Sequence, residues 1–470
     1  MPRLVLSYLA GALLLSGCVM MPKYERPVAP VAAAYPGGSG TNESRAADLA
    51  WRGVFADERL KKLVELALTN NLDLQVAALN VELSRAQYRI TRSEYFPTVN
   101  ASGSYNRSRN SLTGFPGGSG GSSSSSSYTT TTWNASLGTT ADEVDLFGRV
   151  RSLNRQALEK YFATAEAQRN ARIALVAEVA TEYFALRQAE EQVALARQTL
   201  KAVQQSYDLN KSMFDAGASG ELDLRTSEGQ VQTARINLLG YERQLAQATN
   251  SLTLLVGQPL PNDLPMPQAF TNLNLVTEIP AGMPSELIQR RPDILEAEHT
   301  LKAANANIGA ARAAFFPSVT LTASVGNTSA QLSKLFGAGT GVWSFAPQVT
   351  LPIFTGGQNL ADLDAAKVSK RIEIANYQKA IESAFREVAD ALVATSSYRE
   401  QIDAEAAAVN AQQKRFELAT ARYRQGVDTY LNVLSAQQDL YAAQQGMLQA
   451  QFNRVASQVT LYQALGGGWE

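Results

Sequence analysis

Four short segments of this chain alternate apolar residues with small uncharged polar ones, and they come as two pairs. After Pro317, Val319, Leu321, Ala323 and Val325 interleave with Ser318, Thr320, Thr322 and Ser324; Trp343, Phe345, Val349 and Leu351 interleave with Ser344, Ala346, Gln348 and Thr350. In the earlier pair Val99, Ala101, Gly103 and Tyr105 alternate with Asn100, Ser102, Ser104 and Asn106, and Trp133, Ala135 and Leu137 with Asn134, Ser136 and Gly138. Period two gives each set its own face of a strand. One such strand fits a soluble sheet with a wet face. Four of them, with neutral polar partners and Trp133, Trp343 and Tyr105 as girdle residues, suit a wall between lipid and water. Four strands are too few to close a transmembrane barrel, and an open edge in lipid strands its backbone polar groups. Copies must therefore pool their strands: a dimer, trimer or tetramer brings eight, twelve or sixteen. The smallest of these barrels is filled by its own side chains, so a Ser/Thr/Asn-lined lumen favours a larger one.

The pairs belong to an internal duplication. Tyr95-Phe96-Pro97-Thr98-Val99 returns as Phe315-Phe316-Pro317-Ser318-Val319, and Glu178-Val179-Ala180 as Glu387-Val388-Ala389. Gly217, Leu222 and Gly257 map to Gly426, Leu431 and Gly466. The first copy carries extra residues, of which Gly117-Gly118-Ser119-Gly120-Gly121 running into Ser122 to Ser127 reads as a flexible loop. This predicts a first repeat at 66–257, with strands at about 97–108 and 128–140 and long helices over about 151–256. A Pro-rich linker at 258–284 (Pro259, Pro261, Pro265, Pro267) leads to a second repeat at 285–470. Its strands fall at about 318–326 and 342–352 and its long helices over about 358–466.

The helices carry a coiled-coil pattern. Val179, Leu186, Val193, Leu200, Tyr207 and Phe214 stand seven apart, as do Val388, Thr395, Ile402, Val409, Phe416 and Tyr423. Val176, Tyr183, Phe385 and Leu392 complete an a/d seam. A return helix carries Leu434, Tyr441, Leu448, Val455 and Tyr462 at the same spacing. A stretch such as 151–214 would make a rod of about 95 Å. Strand pairs joined by loops, with long helices entering and leaving, place the helices on one side of the sheet and predict a helical tube running on from the barrel. The fold class is mainly α with transmembrane β.

One Arg, an apolar run from Leu4 to Leu15 and the small residues Ser16 and Gly17 describe a secretory signal over 1–17, too short to span a membrane. Cys18, the one cysteine of the chain, follows at once and reads as a lipid attachment site; residues 18–65 then begin as an extended Pro-, Ala- and Gly-rich tether. One Cys and one His exclude a disulfide scaffold and Cys/His zinc sites. A net charge of −1 offers no field for nucleic acid. Mean hydropathy of −0.16 excludes a polytopic helical membrane protein. His299, in a helical stretch beside Glu296 and Glu298, is a weak metal candidate and reads better as a satisfied surface or interface histidine. No nucleophile elbow, phosphate-binding loop or dinucleotide fingerprint occurs, so no catalytic residue, metal or cofactor other than the covalent lipid is expected.

Taken together, Leu15-Ser16-Gly17-Cys18, Tyr24-Glu25-Arg26-Pro27, Glu143-Val144-Asp145-Leu146-Phe147-Gly148-Arg149, Arg290-Arg291-Pro292-Asp293-Ile294, Leu351-Pro352-Ile353-Phe354 and Ala464-Leu465-Gly466-Gly467-Gly468-Trp469 resemble the outer membrane factor (TolC) family, in its lipoprotein branch. The resemblance implies a homotrimer with a shared twelve-stranded barrel in the outer membrane and a periplasmic helical barrel. It implies the role of exit duct in a tripartite multidrug efflux pump, with a periplasmic adaptor and an inner membrane transporter of the resistance–nodulation–division type as partners. Export of proteins in a type I system, or a lipid-anchored coiled-coil scaffold that never spans, are the alternatives.

The family's helical tube closes at its periplasmic end, where tight turns join paired helices. Here those turns centre on Gly217 and Gly426, both at positions that need positive φ. By resemblance Tyr423 and Arg424 would bond to acidic groups on the adjacent pair, with Asp223 the best match, and Leu431 would form an apolar ring. Asn432 and Ser435 stand where family members commonly have carboxylates, leaving Asp428 to supply negative charge.

Overall fold

A computed structural model of the chain describes residues 19–32, 35, 51–111, 127–270 and 290–467. The signal segment, Cys18, the Gly/Ser loop through Ser126 and linker residues 271–284 lie outside the described residues. In chain order the elements are α1 (Trp51–Val54), α2 (Glu58–Asn70), α3 (Leu72–Ser93), β1 (Asn100–Ser111), β2 (Ser127–Val144), α4 (Arg149–Asp215), α5 (Glu221–Val256), α6 (Pro292–Ala313), β3 (Ser318–Ser329), β4 (Gly341–Thr350), α7 (Gln358–Arg424) and α8 (Tyr430–Ala464). The duplication shows in the lengths: α4 and α7 have 67 residues each, about 100 Å of helix, and α5 and α8 have 36 and 35.

The repeats are not the spatial units. One compact unit is built on Leu83–Phe162 and His299–Ala375, the other on Pro27–Glu82, Ala163–Glu298 and Asn376–Glu470, so each takes material from both copies. Residue 66, the expected start of the first repeat, lies within α2. That helix starts at Glu58, where Asp57 accepts the Arg59 amide through Oδ1 at 2.8 Å. The buried Asp57 also accepts the Tyr183 hydroxyl through Oδ2 at 2.6 Å. Asn71 then separates α2 from α3: its amide closes α2 onto the Ala67 carbonyl, its Oδ1 takes the Leu74 amide, and its Nδ2 donates to the Leu255 carbonyl.

The first unit holds one antiparallel sheet in the order β1-β2-β3-β4. The hairpins of the two repeats meet at β2–β3, and β1 and β4 are the edges. The register lines up the alternation across all four strands: Ala101, Leu137, Val325 and Trp343 share one face, as do Gly103 and Ala135, and Ala323 and Phe345. On the other face Ser102 Oγ lies 2.9 Å from Ser136 Oγ. Gly138 faces Ser324 and Gly326 faces Ser136 on this polar side, and there the strands approach so closely that a Cβ on Gly138 would lie 2.4 Å from the Ala323 carbonyl oxygen.

The strand limits differ from those read from alternation. The first strand begins at Asn100 rather than at 97, because Pro97 has no amide to give and the Thr98 amide donates to Asp142 Oδ1 at 3.2 Å. The second runs on from 140 to Val144 through a bulge between Thr139 and Asp142, where Ala141 takes φ 55° and donates its amide to Thr322 Oγ1 at 3.1 Å. The third runs on past 326 to Ser329, and the fourth stops at Thr350, opposite the first residue of β3.

The second unit has the hydrophobic core. Trp51, Phe55, Leu60 and Leu63 pack with Val179, Tyr183 and Leu186 of α4, Leu252 and Val256 of α5, and Val455, Val459 and Tyr462 of α8. Of the seven-residue rows, Val179, Leu186, Val455 and Tyr462 enter this core, while the row on α7 does not. In the first unit, residues 19–26 are extended but held: the Pro22 carbonyl accepts from Asn305 at 2.8 Å, and Lys302 lies over the Tyr24 ring. A Cβ on Gly309 would meet Met21 backbone at 2.9 Å, so this tether packs against α6 only because position 309 is glycine.

Gly138→Ala is expected to cost about 1–3 kcal/mol per chain, as overpacking does. Gly103→Ala, whose nearest foreign atom would be 3.9 Å away, should stay within about 0.5 kcal/mol. Thermal unfolding of the purified proteins separates the two; equal midpoints would refute the close approach of β2 and β3.

Candidate functional site

Two places carry what a channel needs: the sheet, and the turns between the long helices. On the sheet the apolar face is bare within one chain, with Tyr105, Leu137, Val325, Trp343, Phe345 and Val349 all more than half exposed. Tyr105 and Trp133 rest against each other across β1 and β2, ring centroids 4.4 Å apart. Edge strands of 12 and 10 residues carry unpaired backbone groups on their outer sides. In α3 Leu72, Val76, Leu79, Leu83 and Ile90 form an exposed stripe at helical spacing, and no residue of that helix is buried. A sheet with one greasy face and two open edges is not a finished structure in water or in lipid.

The turns lie in the second unit and repeat one design. Gly217 and Gly426 have φ 74° and 71°. In the first turn the Gly217 amide donates to the Phe214 carbonyl and the Ala218 amide to that of Met213; in the second, Gly426 donates to Tyr423 and Val427 to Arg422. Both are Schellman caps. Leu222 and Leu431, at matching positions, are 79% and 67% exposed, so Leu431 presents an apolar side chain that its own chain does not cover.

The side chains around these turns differ between copies. Tyr423 does not bond Asp223 within the chain: its hydroxyl donates to Asn210 Oδ1 at 2.9 Å, with Met213 Sδ at 3.8 Å. The Tyr423 ring also lies against Tyr430, centroids 5.5 Å apart. Asp223 is near enough to act on Tyr423 through its charge and accepts a 3.4 Å bond from Ser219. Arg424 is exposed and, among the described residues, has no hydrogen bond or ion pair. Asp428 is fully engaged by its own turn, accepting the Thr429 amide at 2.9 Å, Arg422 Nε at 3.2 Å and the Asn432 side chain. It braces the turn just before α8 and is not left as a free negative charge.

Reading the sequence missed Asn210, Met213 and Tyr430. A signal for Asn210 was present. Ala189, Ala196, Val203 and Asn210 stand seven apart and all are buried, so Asn210 is a lone amide in a core row. A polar residue in such a row is placed there for a specific partner.

His299 is accounted for structurally: its Nδ1 lies 2.6 Å from Glu159 Oε2, and Arg155 holds the other oxygen of this buried carboxylate at 2.6 Å. Among the described residues no group of three His, Cys, Asp or Glu side chains could hold a metal ion, and no helix is long and apolar enough to cross a membrane.

A family model described as outer membrane efflux protein matches residues 63–258 and 283–467. The toluene efflux pump outer membrane protein TtgC of Pseudomonas putida is 44% identical over 478 residues, covering 100% of this chain and 96% of TtgC. Outer membrane protein OprJ of Pseudomonas aeruginosa is 42% identical over 470 residues, covering 100% of this chain and 97% of OprJ. Among solved structures, the open state of the MtrE outer membrane channel of Neisseria gonorrhoeae superposes with a TM-score of 0.87 at 40% identity, covering 96% of this chain and 99% of that one.

The turn contacts set a pH dependence. Burial, then the Asp223 charge, raises the Tyr423 phenol above its ordinary pKa; burial and then Tyr423 and Asp223 raise Tyr430, against a lowering by the Asn210 amide. Raised groups contribute stability that is complete below the ordinary phenol value and is lost as pH rises through the folded one. Asp428 is lowered, by Asn432 first, then the Thr429 amide and Arg422, so its contribution is present above the ordinary carboxylate value and lost only in acid. Conductance of the purified channel in planar bilayers should therefore stay flat from about pH 5 to about pH 9. A step near neutral pH would show that some other group controls the turns.

Proposed function

The chain belongs to the outer membrane efflux protein family, and from that premise we propose that it is the exit duct of a three-part multidrug efflux pump. It is an outer membrane channel protein, with its strands in the membrane and its long helices in the periplasm. One observation supports the reading above the others. The four-stranded sheet is apolar on one face and lined with Ser, Thr and Asn on the other, and it ends in two unpaired edges. Pairing β4 of one copy with β1 of the next satisfies both edges, turns the apolar face to lipid and encloses a polar lumen. Three copies give twelve strands, enough for an open pore. The exposed stripe of α3 is then covered by a neighbouring copy. A scaffold that never spans would have no use for such a sheet.

The remaining parts extend the same proposal. Cys18 carries the lipid anchor, and the trimer itself supplies insertion. A periplasmic adaptor engages the helical end and an inner membrane transporter of the resistance–nodulation–division type delivers cargo. The chain performs no chemistry on that cargo. The neutral lumen offers little to discriminate solutes, so selection rests with the transporter; the toluene named for TtgC points to small apolar compounds as one class. Deleting the gene in its native host should raise accumulation of dyes and antibiotics several-fold, with the adaptor recovered on pull-down of the tagged channel. Unchanged accumulation with adaptor and transporter intact would refute the role.

The gate lies at the turns, with Tyr423, Arg424, Asp223 and Leu431 around its opening and Gly217 and Gly426 shaping it. Arg424 is left for a carboxylate of the adjacent copy. Losing one hydrogen bond, worth about 1 kcal/mol, shifts a closed–open ratio about five-fold. Tyr423→Phe with Arg424→Ser should thus raise bilayer conductance, and an unaltered value would remove the latch.

A further inference from the structure

The two strand–loop–strand segments, 97–141 and 318–352, contain Arg107, Arg109 and Lys334 and not a single Asp or Glu. Acids begin only at Asp142, Glu143 and Asp145, beside the helices. Arg107 and Arg109 lie towards the opposite end of β1. Since Tyr105, Arg107 and Arg109 alternate with Asn106 and Ser108, both arginines stand on the face of the girdle residues Tyr105 and Trp133, the face given to lipid. They follow Tyr105 at about 7 and 13 Å along the strand, which sets them just outside the aromatic belt, where a charge is tolerated on a barrel's outer face.

Neither arginine has an acidic partner among the described residues. Among the described residues Arg107 makes no hydrogen bond or ion pair, and Arg109 uses only Nε, donating to Ser127 Oγ at 2.9 Å. Thr131 lies opposite Arg107 and Thr129 opposite Arg109, so the same face carries a threonine across from each arginine. Two forked cations about 7 Å apart, flanked by hydroxyl donors and lacking carboxylates, match the bidentate geometry that phosphate oxygens accept. We propose that Arg107 and Arg109 are a binding site for the phosphate groups of a phosphorylated glycolipid in the outer leaflet, holding the barrel rim at a fixed depth. This rests on the outer membrane channel reading for the identity of the lipid-facing side.

The test uses the full-length purified channel in neutral detergent, titrated with fluorescent diphosphoryl lipid A and with the same lipid stripped of phosphate. The native chain should bind the phosphorylated form at least about ten-fold more tightly, with salt weakening the preference. Arg107→Thr with Arg109→Thr should abolish that ratio while bilayer conductance and trimer migration stay unchanged. Should the threonine pair fail to assemble, Arg107→Lys with Arg109→Lys decides: loss of the forked contact lowers the ratio, and an unchanged ratio overturns the site. Persistence of the preference in the threonine pair overturns it, as does equal competition by phosphatidylglycerol vesicles or by inorganic phosphate. A native channel that binds the lipid but does not conduct counts against the duct and in favour of the site.

Discussion

The constraint on which the rest of this structure depends is the backbone hydrogen bond at the edge of the sheet. Inside hydrocarbon no water relieves an unpaired amide or carbonyl, so a strand's outer side must find another strand. Within the chain β2 finds β3, and this pairing joins the two halves of the duplication into one sheet. β1 and β4 have nothing of their own to pair with. Oligomerisation is thus a condition of folding in the membrane rather than an addition to it. The glycines at 138 and 326 belong to the same argument. They sit on the polar side of the β2–β3 joint, where neighbouring strands close to distances no Cβ can share, the side that turns inward when a sheet curls.

Duplication supplied a second sheet half and second helices at once, and the copies then diverged where symmetry was of no use. The backbone of the two turns remains alike down to the pair of carbonyls that each glycine cap satisfies. The side chains do not. Phe214 corresponds to Tyr423, Asp215 to Arg424 and Asp223 to Asn432. The hydroxyl gained at Tyr423 finds Asn210, and the carboxylate absent at 432 leaves an amide that helps to hold Asp428. One helical frame therefore ends in an anionic turn and a cationic one, so helix pairs side by side in a ring meet as opposites.

Much of this was legible in the sequence because periodicity reports faces. Period two marked the residues of both sheet faces, and period seven marked Val179, Leu186, Val193 and Val455 as buried. What alternation does not report is where pairing starts and stops, since that depends on a partner elsewhere in the chain. The Thr98 amide leaves the ladder for Asp142, and β2 regains its register beyond Ala141 only because Thr322 meets the bulge. Boundaries fared worst for a related reason. The break at Asn71 is one residue serving two helices, its backbone amide closing α2 and its side chain opening α3. Asn210 escaped because its partner lies 213 residues away.

The distribution of interaction strengths explains why motion belongs at the turns. Around the middle of α4 and the far end of α8, large side chains such as Trp51, Tyr183 and Tyr462 are wholly enclosed, and separating them costs about 3 kcal/mol or more each. At the turns Phe214 is 37% exposed and Leu222 and Leu431 are bare, while Tyr430 is buried; the Tyr423 phenol–amide bond and its ring contact link the helices there. Such contacts are worth about 1 kcal/mol each. Local opening follows the cheapest free energy available, and a long coiled coil anchored at one end offers it at the other. On the proposed reading, a few kcal/mol of contact at the exposed leucines is enough to splay the turns without disturbing the packed body.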